Sequence, residues 1–232
     1  MRVLDLFSGI GGMSLGLERA GMTTVAFCEI EPFPRRVLAK HWPEVPCYHD
    51  VRTLTAAVLS ADGIGPIDVI TAGFPCQDIS VAGRGAGVEG ERSGLWAEVV
   101  RLVRELQPRF VLLENSPSLC TRGGSAILAA LADERYDAEW EGIPALSVGA
   151  KHIRARQFIV AYPSQERHGA PPCEVFARRD GAFDGYRWPS EPRVGRVADG
   201  VPDGVDRRAA LGNAVVPQVV EWIGHRMLEA AA

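Results

Sequence analysis

The opening of the chain constrains its fold most. The apolar run Arg2–Phe7 (RVLDLF) breaks into Ser8-Gly9-Ile10-Gly11-Gly12, then into a helical pattern carried by Met13, Leu15, Leu17 and Ala20. A buried strand that turns on glycines into a helix is the first unit of an open α/β sheet, because parallel strands need a crossover between them. The unit recurs. Gly21 supplies a helix stop, Thr23–Phe27 reads as a second strand, and Phe33–His41 as a helix opened by Pro32 and Pro34. Thr53–Ser60, Leu95–Leu106 and Ser125–Ala132 read as helices; Ile67–Ala72, Arg109–Leu113, Trp140–Leu146 and Gln157–Ala161 read as strands. The alternation predicts a doubly wound α/β fold, with an open, mostly parallel sheet and helices on both faces. From Pro163 to Arg208 no period holds and Pro, Gly, Arg and Asp are dense; Ala210–Met227 then returns to a helical pattern.

A chain of 232 residues buries a sizeable core without metal or disulfide staples. It has no apolar run of membrane-spanning length, and Met1–Phe7 is too short for a signal peptide. Its five cysteines (28, 47, 76, 120 and 173) are odd in number and lack C-x-x-C spacing. That argues against a disulfide framework and a metal site, and predicts a cytoplasmic protein. The net charge of −4 argues against nucleic acid, but its distribution does not. Residues 1–150 carry 13 basic and 19 acidic side chains, residues 151–208 carry 11 and 8, and 23 of the 25 basic residues are Arg. Arginine suits phosphate and guanine contacts, although a GC-rich genome produces the same bias.

Ligands of open α/β sheets bind beyond the carboxyl ends of the strands, where Phe7–Gly12 lies. The glycines do not match the dinucleotide fingerprint. Glu29 stands 20 residues after Gly9 at the end of the second strand, placed to bind ribose hydroxyls, and Asp50 ends a short third strand where it can accept from an adenine amino group. The plainer alternative is a tight turn with two solvated acids. Gly73-Phe74-Pro75-Cys76-Gln77 follows the strand 67–72, which places Cys76 as a nucleophile would be placed; a buried inert cysteine is the competing reading. The segment after it holds Gly83, Gly85, Gly87, Gly90 and Gly94, a composition suited to a lid or to a plain surface loop. Glu114-Asn115 follows strand 109–113, where desolvation would raise the carboxyl pKa as a proton donor requires; an ordinary N-cap or turn acid is the competing reading. His152-Ile153-Arg154-Ala155-Arg156 precedes the next strand, and alternation in an extended segment predicts both arginines on one face, suited to clamping phosphate or a base carbonyl; a solvated edge strand is the competing reading.

Taken in order, these segments resemble the DNA (cytosine-5) methyltransferase family, of phage or restriction–modification type, over residues 1–161 and 196–224. Asp5–Gly12 is similar to its first S-adenosylmethionine motif, Gly73–Gln77 to its Pro-Cys motif, and Gly94-Leu95-Trp96 to the segment after the lid. Glu114-Asn115-Ser116 resembles its Glu-Asn-Val, His152–Arg156 its Gln-x-Arg-x-Arg, and Gly212-Asn213-Ala214-Val215-Val216-Pro217 its last motif. The resemblance implies a Rossmann-like methyltransferase fold and S-adenosylmethionine as cofactor. It would be held by Phe7, Ser8, Gly9, Gly11, Gly12, Glu29, Ile30, Asp50, Val51, Gly73, Pro75, Asn213, Ala214 and Val215. The implied catalytic set is Cys76 adding to cytosine C6, Glu114 at N3, and Arg154 with Arg156 at the O2 carbonyl and neighbouring phosphate, on a base flipped out of duplex DNA. Gln77, Ser80, Arg84, Asn115, Arg178, Arg179 and Arg187 are the implied DNA contacts.

His152, Lys151 and Ser116 depart from the family's usual Gln, Pro and Val. The implied organisation is a catalytic core over 1–162, a short target-recognition region over 163–208 and a returning C-terminal helix over 209–232. The short recognition region leaves room for a protein partner that completes DNA recognition; a monomer is otherwise expected. Two other readings use the same motifs: a catalytically silent DNA- or cofactor-binding regulator, and a tRNA cytosine-5 methyltransferase. Cys76 and Glu114 are both present, which argues against the silent reading.

Overall fold

The computed structural model describes residues 1–75, 94–164, 174–176 and 210–232. Seven strands form one sheet: β1 (Arg2–Leu6), β2 (Thr23–Cys28), β3 (Cys47–Tyr48), β4 (Val69–Ala72), β5 (Phe110–Asn115), β6 (Tyr136–Pro144) and β7 (Ala155–Pro163). Their order is β3-β2-β1-β4-β5-β7-β6. The pairings from β3 through β5 are parallel, whereas β7 runs antiparallel to both β5 and β6. Strands β1, β4 and β5 are almost wholly buried, as parallel strands covered on both faces must be.

Alternation along each strand sorts the core into two layers. Leu4, Leu6, Ile70, Val111 and Leu113 face helices α3 (Ala56–Ala61), α4 (Gly94–Leu106) and α6 (Gly124–Asp133), which contribute Leu59, Val99, Leu102, Val103, Ile127 and Leu131. Val3, Val69, Phe110, Leu112 and Val160 face the other way, onto Met13 and Leu17 of α1 (Gly12–Arg19) and Val219, Val220, Ile223 and Met227 of the C-terminal helix α7 (Pro217–Ala231). Helix α2 (Pro32–His41) follows β2, and the single turn α5 (Leu119–Arg122) follows β5.

Helix α7 docks closely on α1: a Cβ at Gly16 would lie 2.5 Å from the Pro217 carbonyl oxygen and 2.6 Å from Val220 Cβ. Only glycine allows that approach.

The structure corrects three expectations. The strand expected over Trp140–Leu146 runs over Tyr136–Pro144 and ends at Pro144, after which Ala145–Val148 forms a 3-10 turn. Its first half alternates acids with apolar residues because it is an edge strand, so it carries no apolar run. The helix expected over Ala210–Met227 is broken: a helical turn occupies 210–213, residues 214–216 are non-helical, and α7 starts at Pro217. The cause is local, since the residue before a proline avoids the helical region, and Val216 sits at φ −82°, ψ 111°. Third, Arg154 and Arg156 do not share an extended face. Arg154 has φ 28°, which turns the chain just before β7 begins.

Candidate active site

The order of the strands places the site. The chain leaves β1 for β2 on one side and β4 on the other, so a crevice opens at the carboxyl ends of β1 and β4. The ends of β2 and β5 lie on the same edge. Because β7 is reversed, its beginning lies there too, with Gln157 opposite Asn115 and Phe158 opposite Glu114. This reversal carries Arg156 to that same edge.

A cavity of about 520 Å³ occupies the crevice and is continuous from Phe7, Glu29 and Asp50 at one end to Pro75, Glu114 and Arg156 at the other. Its lining includes Ser8, Gly9, Gly12, Ile30, Val51, Gly73, Leu95, Asn115, Asn213, Ala214 and Val215, and among residues the sequence did not single out, His49 and Arg52.

The glycine turn is built around the Ser8 hydroxyl, which donates to the Asp5 carbonyl at 2.5 Å and accepts from the Cys28 N–H at 3.3 Å. Phe7 takes φ 54°, unusual for a non-glycine residue, and Gly9 and Gly11 also have positive φ. Gly11 has a second constraint: a Cβ there would strike the Trp42 ring at 2.6 Å. Glu29 is buried, and its two carboxylate oxygens accept from the Gly9 and Glu31 N–H groups, each at 2.7 Å. Asp50 is paired with Arg52 at 2.7 Å, and hydrogen bonds from Arg52 hold its carboxyl below the usual range.

These residues fit S-adenosylmethionine. A Cβ at Gly9 would meet nothing within 4 Å, so the turn has open space over its backbone. Glu29 retains lone pairs for hydroxyl donors, and Asp50 can accept from an amino group.

At the far end, Glu114 is 9% exposed, and burial pushes its carboxyl up to about 7 against the lowering influence of Arg156 and Arg154. Arg156 Nε stands 2.9 Å from Glu114 Oε1, yet that oxygen accepts no well-aligned hydrogen bond. A carboxyl of this kind exchanges a proton near neutrality.

Asn115 is buried, and its side-chain amide donates to the Phe74 carbonyl at 3.0 Å. Phe74 packs on Trp96 of α4 with ring centroids 5.3 Å apart. Asn115 thus holds the backbone two residues before Cys76. Arg154 has other partners than Arg156: its guanidinium donates to the Gly212 carbonyl at 2.6 Å and to the Ala214 carbonyl.

Cys76, Gln77, Ser80, Arg84, Arg178, Arg179 and Arg187 lie outside the described residues. Cys28 also lines the cavity, but burial pushes its thiol up to about 12, so it holds no thiolate at neutral pH.

Asp5 is the group whose role the sequence reading missed. It is 1% exposed, accepts from Ser14 Oγ at 2.7 Å and Thr71 Oγ1 at 2.6 Å, and complete burial pushes its carboxyl up to about 7. It ties the start of α1 to the strand that leads into the Pro-Cys segment. The visible signal was an acid inside an otherwise apolar central strand.

A sheet of this order with one reversed strand, and a crevice joining a glycine turn to a buried acid, defines the methyltransferase class of α/β folds. A family model for the C-5 cytosine-specific DNA methylase matches residues 1–179, and the chain belongs to that family. It is 36% identical over 191 residues to the Type II methyltransferase M.CviJI of Paramecium bursaria Chlorella virus IL3A, covering 75% of this chain and 51% of that protein. It is 34% identical over 169 residues to the Type II methyltransferase M2.BsuMI of Bacillus subtilis, covering 69% and 42%. The chain thus spans about half the length of these curated relatives. Among solved structures, a protein described as a DNA modification methyltransferase encoded within an E. coli prophage aligns with TM-score 0.60 and 32% identity, covering 70% of this chain and 47% of that one. The Entamoeba histolytica methyltransferase EhMeth aligns over 100% of this chain and 99% of its own with TM-score 0.69; at 15% identity this shows the fold alone.

Proposed function

We propose that this chain transfers a methyl group from S-adenosylmethionine to C5 of cytosine in duplex DNA. The observation that supports this most strongly is that the glycine turn and Glu29 line the same continuous cavity as the buried acid Glu114. When bound, S-adenosylmethionine supplies an electrophilic sulfonium methyl that a carbon nucleophile accepts.

The remaining chemistry falls to the chain. Cytosine C5 is too weak a nucleophile by itself. The Cys76 thiolate adds to C6, and the electron pair of the C5–C6 bond becomes enamine-like at C5. Glu114, with its carboxyl near 7, donates a hydrogen bond or a proton to N3 and keeps charge from building on the ring. Arg156, in contact with Glu114, keeps the carboxyl aimed at the base and faces the O2 carbonyl. Loss of the C5 proton, followed by departure of Cys76, restores the aromatic ring. The target base must leave the helix, at a cost of about a few kcal/mol, because C5 and C6 are stacked inside the duplex. Residues 163–208, with Arg178, Arg179 and Arg187, supply the recognition region.

The test is transfer of labelled methyl groups to duplex DNA and to tRNA by the wild-type chain and Cys76→Ser. Labelling of duplex DNA that is abolished in Cys76→Ser supports the proposal. Labelling of tRNA in preference, or of neither substrate, contradicts it.

A further inference from the structure

The segment Asn213–Val215 forms one wall of the cavity, yet it spans the end of the helical turn 210–213 and the non-helical residues before α7, and has little regular structure of its own to hold it. On one side it is held by packing: a Cβ at Gly12 would lie 2.9 Å from Val215 Cγ1, so wall and glycine turn are in close contact. On the other side the chain leaves the helical turn 210–213, and carbonyls at a helix end lack the N–H partners that a continuing helix would provide. The Gly212 carbonyl of this turn and the Ala214 carbonyl just after it accept from the same Arg154 guanidinium. They flank Asn213. A planar fork bridges two such acceptors with one side chain, which a lysine ammonium does less well.

We infer that Arg154 is a positioning residue for the cofactor: it holds the Asn213–Val215 wall against the pocket and acts on S-adenosylmethionine binding rather than on the cytosine. Its backbone supports this assignment. The positive φ of Arg154 takes it out of the extended alternation of β7, and its guanidinium ends on the Gly212 and Ala214 carbonyls whereas that of Arg156 ends on Glu114. Two arginines two residues apart thus hold different parts of the cavity: Arg154 the Asn213–Val215 wall, and Arg156 the buried acid.

The inference rests on the cofactor reading of the pocket, and the experiment separates the two. Binding of S-adenosylhomocysteine to the full chain is measured by calorimetry without DNA, for the wild type, Arg154→Ala, Arg154→Lys and Arg156→Lys. Arg154→Ala is expected to weaken binding about tenfold, with Arg154→Lys intermediate and Arg156→Lys within about twofold of wild type. In steady-state assays the Arg154 variants raise the KM for S-adenosylmethionine and leave the KM for DNA unchanged. Wild-type affinity in both Arg154 variants overturns the inference while leaving the pocket reading intact. A raised KM for DNA with unchanged cofactor affinity also overturns it, and returns Arg154 to the base. A wild-type chain that binds no S-adenosylhomocysteine overturns both. Should Arg154→Ala fail to fold, full affinity in Arg154→Lys alone overturns the inference, and intermediate affinity supports it.

Discussion

Replacing Glu114 by Gln removes a titration that the fold makes costly. The carboxyl has a value of about 4.5 in the unfolded chain and about 7 in the folded one. Between these values the folded state holds a proton that the unfolded state has released, so wild-type stability falls as pH rises through that window and levels off above it. Below about pH 4.5 both states are protonated and no difference arises. At 1.36 kcal/mol per pKa unit the full loss is about 3 kcal/mol, of which about 2–3 kcal/mol accrues between pH 5 and pH 8. Glutamine keeps the shape and has no such titration. The stability difference between Glu114→Gln and wild type therefore shifts in favour of the mutant by about 2–3 kcal/mol across that range, whatever its offset from the lost Arg156 contact. Urea denaturation at intervals of one pH unit measures it. A difference that stays flat from pH 5 to pH 8 would refute the argument that burial dominates Glu114.

Three further outcomes follow from the same geometry. Asp5 is also pushed up to about 7 by burial, so its ionisation too weakens the fold as pH rises, and Asp5→Asn is expected to flatten the remaining loss in urea denaturation between pH 5 and pH 8. Gly16→Ala forces a methyl group onto the Pro217 carbonyl and Val220, and is expected to destabilise the chain by about 1–3 kcal/mol, seen as a lower Tm. Asn115→Ala leaves the Phe74 carbonyl without its donor, costs about 1–3 kcal/mol in denaturation, and lowers kcat more than it weakens DNA binding in a gel-shift titration.

The central sheet was legible because β1, β4 and β5 are apolar runs bounded by turn residues, glycines after β1 and β4 and prolines on either side of β5, a pattern that fully buried parallel strands impose. The start of β6 was not, because Asp137, Glu139 and Glu141 give an edge strand the look of a loop. The break before α7 was written in Pro217, but the apolar spacing on either side concealed it. At the site, the glycine turn, Glu29 and Glu114 announce themselves by position at strand ends. Arg154 does not: alternation assumes extended backbone, and a positive φ at a non-glycine residue has no sequence signature. The partners of Asp5 were hidden for a different reason. Ser14 and Thr71 lie 9 and 66 residues away, joined to it only when α1 packs on the sheet and β4 pairs with β1.

We propose that the cavity methylates the C5 carbon of cytosine through Cys76. Nucleoside-resolved mass spectrometry of duplex DNA incubated with the chain and S-adenosylmethionine tests it, because it separates a methyl group on C5 from one on the exocyclic amine. 5-Methylcytosine formed by the wild type and absent with Cys76→Ser is the expected result. N4-methylcytosine, or 5-methylcytosine undiminished in Cys76→Ser, would contradict the account.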